Sequence, residues 1–146
     1  MNVCCFFGHR DTPQEIQQDL AEQIENLIRD GNVGEFLVGH QGNFDFMVIH
    51  ALRELKEKYP HINYSICLAY LPQEKEEWSP FSPDETVFLD GMETVPKKYA
   101  ISRRNDLMLK LSDVVICYAY HHLGGAGNFV DKAIRQKKKV INLAKR

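Results

Sequence analysis

The stretch VVICYAYHHLGGAGNFVDKAI, residues 114–134, joins a strand to a helix through a glycine-rich turn. Its first residues form an apolar, β-branched run, as in a strand of a parallel sheet that is buried on both faces. Gly124, Gly125 and Gly127 are more glycines than a tight turn requires, and glycine lets a ligand approach the backbone closely. Because the unpaired N–H groups at the start of a helix attract anions, this stretch predicts a site for a phosphate group.

Strand and helix patterns alternate along the rest of the chain. The first helix pattern begins at a capping sequence, in which Thr12 is the cap, Pro13 takes the first helical position and Glu15 completes a capping box. It ends at Asp30-Gly31, where glycine can adopt a left-handed conformation. The predicted strands are residues 2–7, 35–39, 63–71, 113–120 and 138–144, and the first three predicted helices are residues 13–30, 44–59 and 97–111.

This alternation predicts an α/β fold, a three-layer Rossmann-like sandwich with a parallel sheet of about five strands. Short connections link the first three strands, whereas residues 72–112 separate the third from the fourth. Since crossovers between parallel strands are right-handed, we predict the strand order 3-2-1-4-5. Strands one and four then flank the point where the order reverses, and ligands of such sheets bind there, beyond the carboxyl ends of the strands.

The composition is that of a single globular domain. Hydrophobic residues make up 44% of the 146 residues, which is enough for one core, so we predict one domain over residues 1–146. The net charge of -2 gives no general attraction to nucleic acid or to a membrane surface. The apolar runs are too short to span a bilayer, so we expect no membrane partner and a cytoplasmic protein. Residues 71–95 are acidic and proline-rich, and predict a loop or lid with a short strand at residues 86–89.

Three polar or glycine-rich turns follow the first, second and fourth strands: GHRDT, GHQGNFD and HHLGGAGN. Because the carboxyl ends of parallel strands share one edge of the sheet, we expect the three turns to converge on one ligand. The predicted ligand-binding residues are Gly8, His9, Arg10, Gly39, Gly42, Asn43, Asp45, Arg104, Gly124, Gly125, Ala126, Gly127 and Asn128.

Three charged residues complete the predicted site. Arg104 lies on the inward stripe of its helix, so it requires an anionic partner, either a carboxylate such as Asp131 or a ligand phosphate, unless its head reaches back to water. Arg10 follows the first strand, where its fork can hold a phosphate. Asp131, about one turn into the last helix, either orients a ribose or assists glycosidic cleavage, or only compensates the helix dipole.

No metal and no cofactor are expected. Histidines at the strand ends lack the spacing that holds zinc. These histidines are His9, His40, His121 and His122. The first turn is not a G-x-G-x-x-G fingerprint, which argues against an ordinary dinucleotide dehydrogenase. The four cysteines fall in apolar runs, which is typical of packing residues.

The segments FFGHR, VGHQGNFD, RNDLM and GGAGNFVD resemble the SLOG superfamily over nearly the whole chain. This Rossmann-like group holds the LOG phosphoribohydrolases, the DprA/Smf DNA-processing proteins and the YpsA-like proteins. The resemblance is closest to the YpsA-like branch, whose members begin with a strand and a G-H-R turn. It implies a small-molecule ligand of nucleotide type, and a homo-oligomer, since small proteins of the superfamily commonly associate.

The LOG enzymes cleave the N-glycosidic bond of cytokinin nucleoside monophosphates. They use an arginine, a methionine four residues later and a loop of the form P-G-G-x-G-T-x-x-E. Arg104 and Met108 match the first pattern, and the glycines match the second. The chain departs at three positions of the loop, with Leu123 in place of proline, Asn128 in place of threonine and Asp131 in place of glutamate.

These observations lead to three hypotheses about function. The first is a sensor or regulatory module that binds a nucleotide or a nucleotide derivative, with the phosphate over residues 124–128. The alternative is a nucleoside 5'-monophosphate phosphoribohydrolase, in which Arg104 holds the substrate and Asp131 is the catalytic carboxylate. The third is DNA binding of the DprA type through the basic cluster at residues 135–140. Nucleic acid is the least expected partner, because a basic helix end of this kind is usually solvated and complements the helix dipole.

Overall fold

The computed structural model describes residues 1–70, 82–120 and 125–144. The strands are β1 (Asn2–Gly8), β2 (Val33–Val38), β3 (Asn63–Cys67), β4 (Thr86–Val87), β5 (Val114–Tyr118) and β6 (Lys139–Asn142). The helices are α1 (Gln17–Asp30), α2 (Gly42–Lys58), α3 (Lys97–Leu111) and α4 (Gly125–Arg135), with short 3-10 helices at Gln14–Ile16 and Pro83–Glu85. Within these residues, no helix has both the length and the apolar character that crossing a membrane requires.

The strands form one parallel sheet in the order β4-β3-β2-β1-β5-β6. The predicted α/β fold is confirmed, and the five longer strands lie in the predicted order. The sheet has one strand more than expected, because the two residues of β4 pair with Ile66 and Cys67 at the outer edge. The order reverses between β1 and β5, which are neighbours in register from Cys4 opposite Val114 to Gly8 opposite Tyr118.

Helices cover both faces of the sheet. Successive side chains of β1 point to opposite faces. Cys4 and Phe6 join the apolar cluster formed by α1 and α2, whereas Cys5 and Phe7 join the cluster formed by α3 and α4. The central strands are therefore buried on both sides, which explains their continuous apolar runs and confirms the three-layer arrangement.

The four cysteines are free and buried. Burial raises the pKa of Cys5 and of Cys67 to about 12. A thiol with such a pKa carries no thiolate character at neutral pH, and the thiolate is the reactive form. These residues therefore pack as small apolar side chains.

The start and the end of α1 differ from the prediction. The Thr12 hydroxyl donates to the carbonyl of His9 (2.6 Å) and closes the turn after β1, so it does not cap the helix. Pro13 is extended, and a 3-10 turn leads into α1 instead. At the other end Gly31 has an ordinary negative φ, and Asn32 takes the left-handed conformation with a φ of 54°.

The first part of the predicted acidic loop or lid, residues 71–81, lies outside the described residues. The part after it is tied to the sheet through Glu85. This carboxylate accepts hydrogen bonds from the Arg53 guanidinium (2.8 and 2.7 Å) and from the Tyr64 hydroxyl (2.5 Å). The Arg53 hydrogen bonds are the largest cause that lowers the pKa of Glu85 to about 2. Glu85 thus joins β4 to α2 and β3.

Gly8, at the end of β1, packs directly against Phe44. A Cβ at residue 8 would lie 2.1 Å from Phe44 Cγ, and Phe44 is fully buried in the core. We expect Gly8→Ala to lower the free energy of unfolding by about 3 kcal/mol, as measured by urea denaturation. Gly34→Ala is the matched control, because the atoms nearest to its new Cβ belong to the exposed, flexible Met1 side chain.

For Gly34→Ala we expect the free energy of unfolding to fall by less than about 1 kcal/mol. Equal losses in the two variants would contradict the close packing of β1 on α2.

Candidate functional site

The turns after β1 and β2 contact each other at the carboxyl edge of the sheet, beside the end of β5. The N–H of Asn43 donates to the carbonyl of Arg10 (3.0 Å), and Gly42 has a φ of +83° where the two turns meet. A Cβ at Gly42 would lie 2.7 Å from Arg10 Cα, so both the conformation and the space favour glycine. On the other side, the N–H of His9 donates to the carbonyl of Tyr118 (3.3 Å). The turns after β1 and β2 therefore meet as predicted, whereas residues 121–124 of the turn after β5 lie outside the described residues.

A cavity of about 360 Å³ opens between the turns after β1 and β2 and the start of α4. It lies at the carboxyl ends of β1 and β5, where the strand order reverses and ligands of parallel sheets bind. Its described lining residues are Phe6, Phe7, Gly8, His9, Arg10, Gly39, Gln41, Asp45, Ile101, Arg104, Asn105, Gly125 and Ala126.

Arg104 is a buried cation in the wall of this cavity, with only 2% of its surface exposed. Its Nη1 donates to the carbonyl of Cys67 (2.9 Å), its Nη2 to Oε1 of Gln41 (2.7 Å) and its Nε to Oδ1 of Asn105 (2.8 Å). These bonds link the end of β3, the turn after β2 and α3. Burial lowers the pKa of Arg104, and the neighbouring carboxylate of Asp45 opposes that shift. The carboxylate that faces this guanidinium is thus Asp45, and the guanidinium does not reach out to water.

Asp45 is a buried carboxylate in the same wall. Its Oδ2 accepts the N–H of Gln41 (2.9 Å). Burial raises the pKa of Asp45 to about 6, and the guanidinium of Arg104 is the largest effect that opposes this rise. A carboxylate with this pKa is ionised at neutral pH but takes up a proton in mildly acidic solution.

His40 lies next to this pair. Burial, and then the positive charge of Arg104, lower the pKa of His40 to about 4. Its Nε2 lies 3.3 Å from the N–H of Ala69, which donates to it. His40 is therefore neutral at physiological pH.

Arg10 is the second cation of the cavity and is exposed to solvent. Within the part of the chain that the structure describes, no acceptor is hydrogen-bonded to its guanidinium. The cavity therefore combines a buried arginine that is held by protein groups with a surface arginine at its opening.

A comparison with family models identifies the group to which this architecture belongs. The model of the YpsA family, described as the YspA SLOG family, matches residues 1–144. The chain belongs to this SLOG family. The resemblance carried by the G-H-R turn and the later motifs is thereby confirmed. A search of the curated proteins finds no match.

Two solved structures share the fold of the SLOG chain. DNA processing protein A (DprA) from Streptococcus pneumoniae has a TM-score of 0.72 at 12% identity, over 97% of this chain and 50% of that protein. DNA processing protein A from Helicobacter pylori, described with a unique single-stranded DNA binding mode, has a TM-score of 0.65 at 16% identity, over 99% of this chain and 66% of that protein. At these identities the likeness concerns the fold, and the chain spans only about half to two thirds of their length.

The structure brings most of the predicted ligand-binding residues of the SLOG chain to the cavity. Those that line it are Gly8, His9, Arg10, Gly39, Asp45, Arg104, Gly125 and Ala126. Those that do not line it are Gly42, Asn43, Gly127, Asn128 and the candidate catalytic Asp131. Gly124 lies outside the described residues, as do His121 and His122. Among the described residues no cluster of three histidine, cysteine, aspartate or glutamate side chains is arranged to hold a metal ion.

Sequence reasoning missed five of the described cavity residues, which are Phe6, Phe7, Gln41, Ile101 and Asn105. Gln41 stands inside the GHQGNFD turn, between residues that were predicted, and its Oε1 accepts from Arg104. Asn105 follows Arg104 directly, although an α-helix turns neighbouring residues about 100° apart. The sequence signal for Asn105 was therefore a polar side chain adjacent to an arginine that was predicted to face inward.

Gly39 allows Arg104 and Asp45 to approach the backbone. A Cβ at residue 39 would lie 2.9 Å from Arg104 Cζ and 2.9 Å from Asp45 Oδ2, and three hydrogen bonds hold the guanidinium in place. We expect Gly39→Ala to lower the free energy of unfolding by roughly 1–3 kcal/mol in chemical denaturation.

Gly125→Ala is the control for this change, since no atom of the described residues lies within 4 Å of a Cβ there. We expect no loss of stability in that variant. A stable Gly39→Ala protein would show that the pair does not depend on this close approach.

The opposite pKa shifts of Asp45 and His40 predict a pH effect on stability. Asp45 has a folded-state pKa of about 6 against an ordinary 3.8, so its contribution is present below pH 3.8 and lost as the pH rises through 6. His40 has a folded-state pKa of about 4 against an ordinary 6.5, so its contribution is present above pH 6.5 and lost as the pH falls through 4. Between pH 4 and 6 the two effects oppose each other.

In Asp45→Asn only the effect of His40 remains. As the pH falls from 6 to 4, the unfolding free energy of this variant should decrease relative to wild type by up to about 1.4 kcal/mol per pH unit. Denaturation at several pH values measures this difference. Glu57→Gln removes an exposed carboxylate from the same helix and should follow the wild-type profile. Parallel profiles for Asp45→Asn and wild type would refute the raised pKa.

Proposed function

We propose that this SLOG protein binds a nucleotide or a nucleotide-derived ligand in the cavity at the carboxyl edge of the sheet, as a sensor or regulatory module. The observation that carries the proposal is the combination of an exposed arginine and a buried arginine–aspartate pair around one cavity where the strand order reverses. The cavity volume of about 360 Å³ is in the range of small-molecule sites, roughly 300–1,000 Å³.

The phosphate group of the ligand is proposed to lie between Arg10 and the start of α4. Gly125 and Ala126 line the cavity in the first turn of this helix, and N–H groups in a first turn lack partners within the helix. Positive helix ends and arginine forks both favour phosphate. Residues 124–128, predicted from the sequence as the phosphate loop, include this first turn.

The sugar of the ligand is proposed to face Asp45. This carboxylate is ionised near pH 7 and accepts hydrogen bonds, which ribose hydroxyls donate. Arg104 donates to three protein acceptors, so we assign it to holding the wall and Asp45 in position, with the direct phosphate contact made by Arg10.

Hydrolysis of a nucleoside monophosphate is the enzymatic alternative. The sequence pattern assigns its carboxylate to Asp131, which is not among the described residues of the cavity wall. Asp45 is the carboxylate in that wall, and its pKa of about 6 is in the range suited to proton transfer near neutral pH. Release of free base from a nucleoside monophosphate, abolished by Asp45→Asn, would therefore favour the enzymatic alternative.

Single-stranded DNA is the second candidate ligand. The structural likeness to DNA processing protein A from Helicobacter pylori favours it, although the sequence made nucleic acid the least expected partner. The basic cluster at residues 135–140 spans the end of α4 and the start of β6. It therefore lies at the amino edge of the sheet, opposite the cavity. DNA binding through this cluster predicts loss of affinity when Lys137, Lys138 and Lys139 are neutralised.

Self-association and a cytoplasmic location are proposals drawn from the sequence alone. Small proteins of the superfamily commonly associate, which supports a homo-oligomer. Light scattering of the purified protein would measure the mass of the assembly.

The test of nucleotide binding is thermal unfolding of the full chain with AMP, GMP, CMP and UMP. A ligand at 100 times its Kd should raise the unfolding free energy by about 2.7 kcal/mol. We expect Arg10→Ala to weaken the affinity for the bound nucleotide roughly 10- to 150-fold, the worth of a hydrogen bond to a charged group. Arg103→Ala removes an exposed arginine of α3 and should leave the affinity unchanged.

The same protein preparation distinguishes the three functions. Stabilisation by a mononucleotide without base release supports the binding module. Base release supports the hydrolase. Binding of single-stranded DNA alone, insensitive to Arg10→Ala and lost with the three lysines, would overturn the nucleotide proposal.

A further inference from the structure

An aromatic cluster lies next to the cavity, at the carboxyl ends of β1 and β5. The ring of His9 is 4.7 Å from the ring of Tyr120 and 6.2 Å from that of Tyr118, and the two tyrosine rings are 5.9 Å apart. All three pairs are edge-to-face. His9 is also part of the cavity wall, so the cluster extends from the cavity to the surface.

The rings of this cluster are held in place by the backbone. Nε2 of His9 accepts the N–H of Tyr120 (3.2 Å), and the carbonyl of His9 accepts the hydroxyl of Thr12 (2.6 Å). Since Nε2 is an acceptor, the neutral ring carries its proton on Nδ1. The turn after β1 and the end of β5 therefore fix the orientation of the aromatic rings relative to the cavity.

Tyr120 is 59% exposed at the outer end of this cluster. An exposed aromatic ring beside an anion-binding cavity offers a flat apolar surface to whatever extends from the anion. Purine and pyrimidine rings have such a surface, and they stack on tyrosine and histidine side chains in nucleotide complexes.

We infer that Tyr120, supported by His9, is the subsite for the nucleobase of the ligand, so that a nucleoside phosphate binds more tightly than a plain sugar phosphate. This inference rests on the proposed nucleotide site and adds the chemical class of the group at its rim. The exposed ring supplies apolar contact area, while the polar cavity holds the sugar and phosphate. Because stacking requires only a flat ring, the subsite accepts purines and pyrimidines, purines more tightly through their larger area.

The test compares AMP with ribose 5-phosphate, which differ by the base, in calorimetric titrations of the full chain. Wild type should bind AMP more tightly than ribose 5-phosphate. Tyr120→Ala should weaken the affinity for AMP roughly 5- to 150-fold, because the loss equals one base-stacking contact. The affinity for ribose 5-phosphate should not change. Tyr120→Phe should retain the affinity of wild type for AMP, since it keeps the ring.

Tyr99→Ala is the matched control. Tyr99 is 55% exposed on α3, like Tyr120, but it belongs neither to the cavity wall nor to the aromatic cluster of His9, Tyr118 and Tyr120, so its removal should change neither affinity. Equal affinity of wild type for AMP and ribose 5-phosphate would overturn the base subsite and leave the phosphate site standing. Equal weakening of both ligands by Tyr120→Ala would also overturn it, since that is the result of a structural role. Absence of binding by either ligand would overturn the proposed function and this inference together.

Discussion

The buried guanidinium of Arg104 is the constraint on which the cavity depends. Removing a charge from water is costly unless hydrogen bonds and an opposite charge compensate for it. Here three acceptors from different elements and the carboxylate of Asp45 provide that compensation. Because the acceptors belong to β3, the turn after β2 and α3, satisfying one charge also fixes the relative positions of three parts of the wall. The need to compensate the buried charge of Arg104 thus fixes the wall of the cavity within an otherwise apolar core.

Burial away from water also determines the protonation of the groups in and beside the cavity wall. It raises the pKa of Asp45 and lowers the pKa of His40, so both groups move toward their neutral forms. The Asp45 carboxylate keeps its charge at neutral pH because the guanidinium lies next to it. Arg10, in contrast, is exposed, and its guanidinium makes no hydrogen bond to the described residues. The charges of Arg104 and Asp45 in the wall are close to balanced, and the positive charge of Arg10 lies at the opening.

Features that depend on neighbouring residues in the sequence were predicted, whereas features that depend on contacts between distant residues were not. The apolar runs and the turn glycines predicted the layers, the order of the five longer strands and the edge where the site lies, because burial on both faces and tight turns leave local signatures. The predicted start of α1 was wrong, because the Thr12 hydroxyl donates to the carbonyl of His9 in the preceding turn and does not cap the helix. β4 was anticipated only as a short strand in a loop, because two residues carry little pattern and depend on pairing with β3.

By itself, the sequence determined that this chain is an α/β SLOG protein with a parallel sheet between two layers of helices. It did so because strand burial, helix periodicity and glycine turns are encoded over a few neighbouring residues. Only the tertiary structure decided that Asp45 faces Arg104, that Gln41 and Asn105 complete the wall, and that Tyr120 stands beside His9. Those relations join residues far apart in the chain, and their geometry depends on how the helices pack on the sheet.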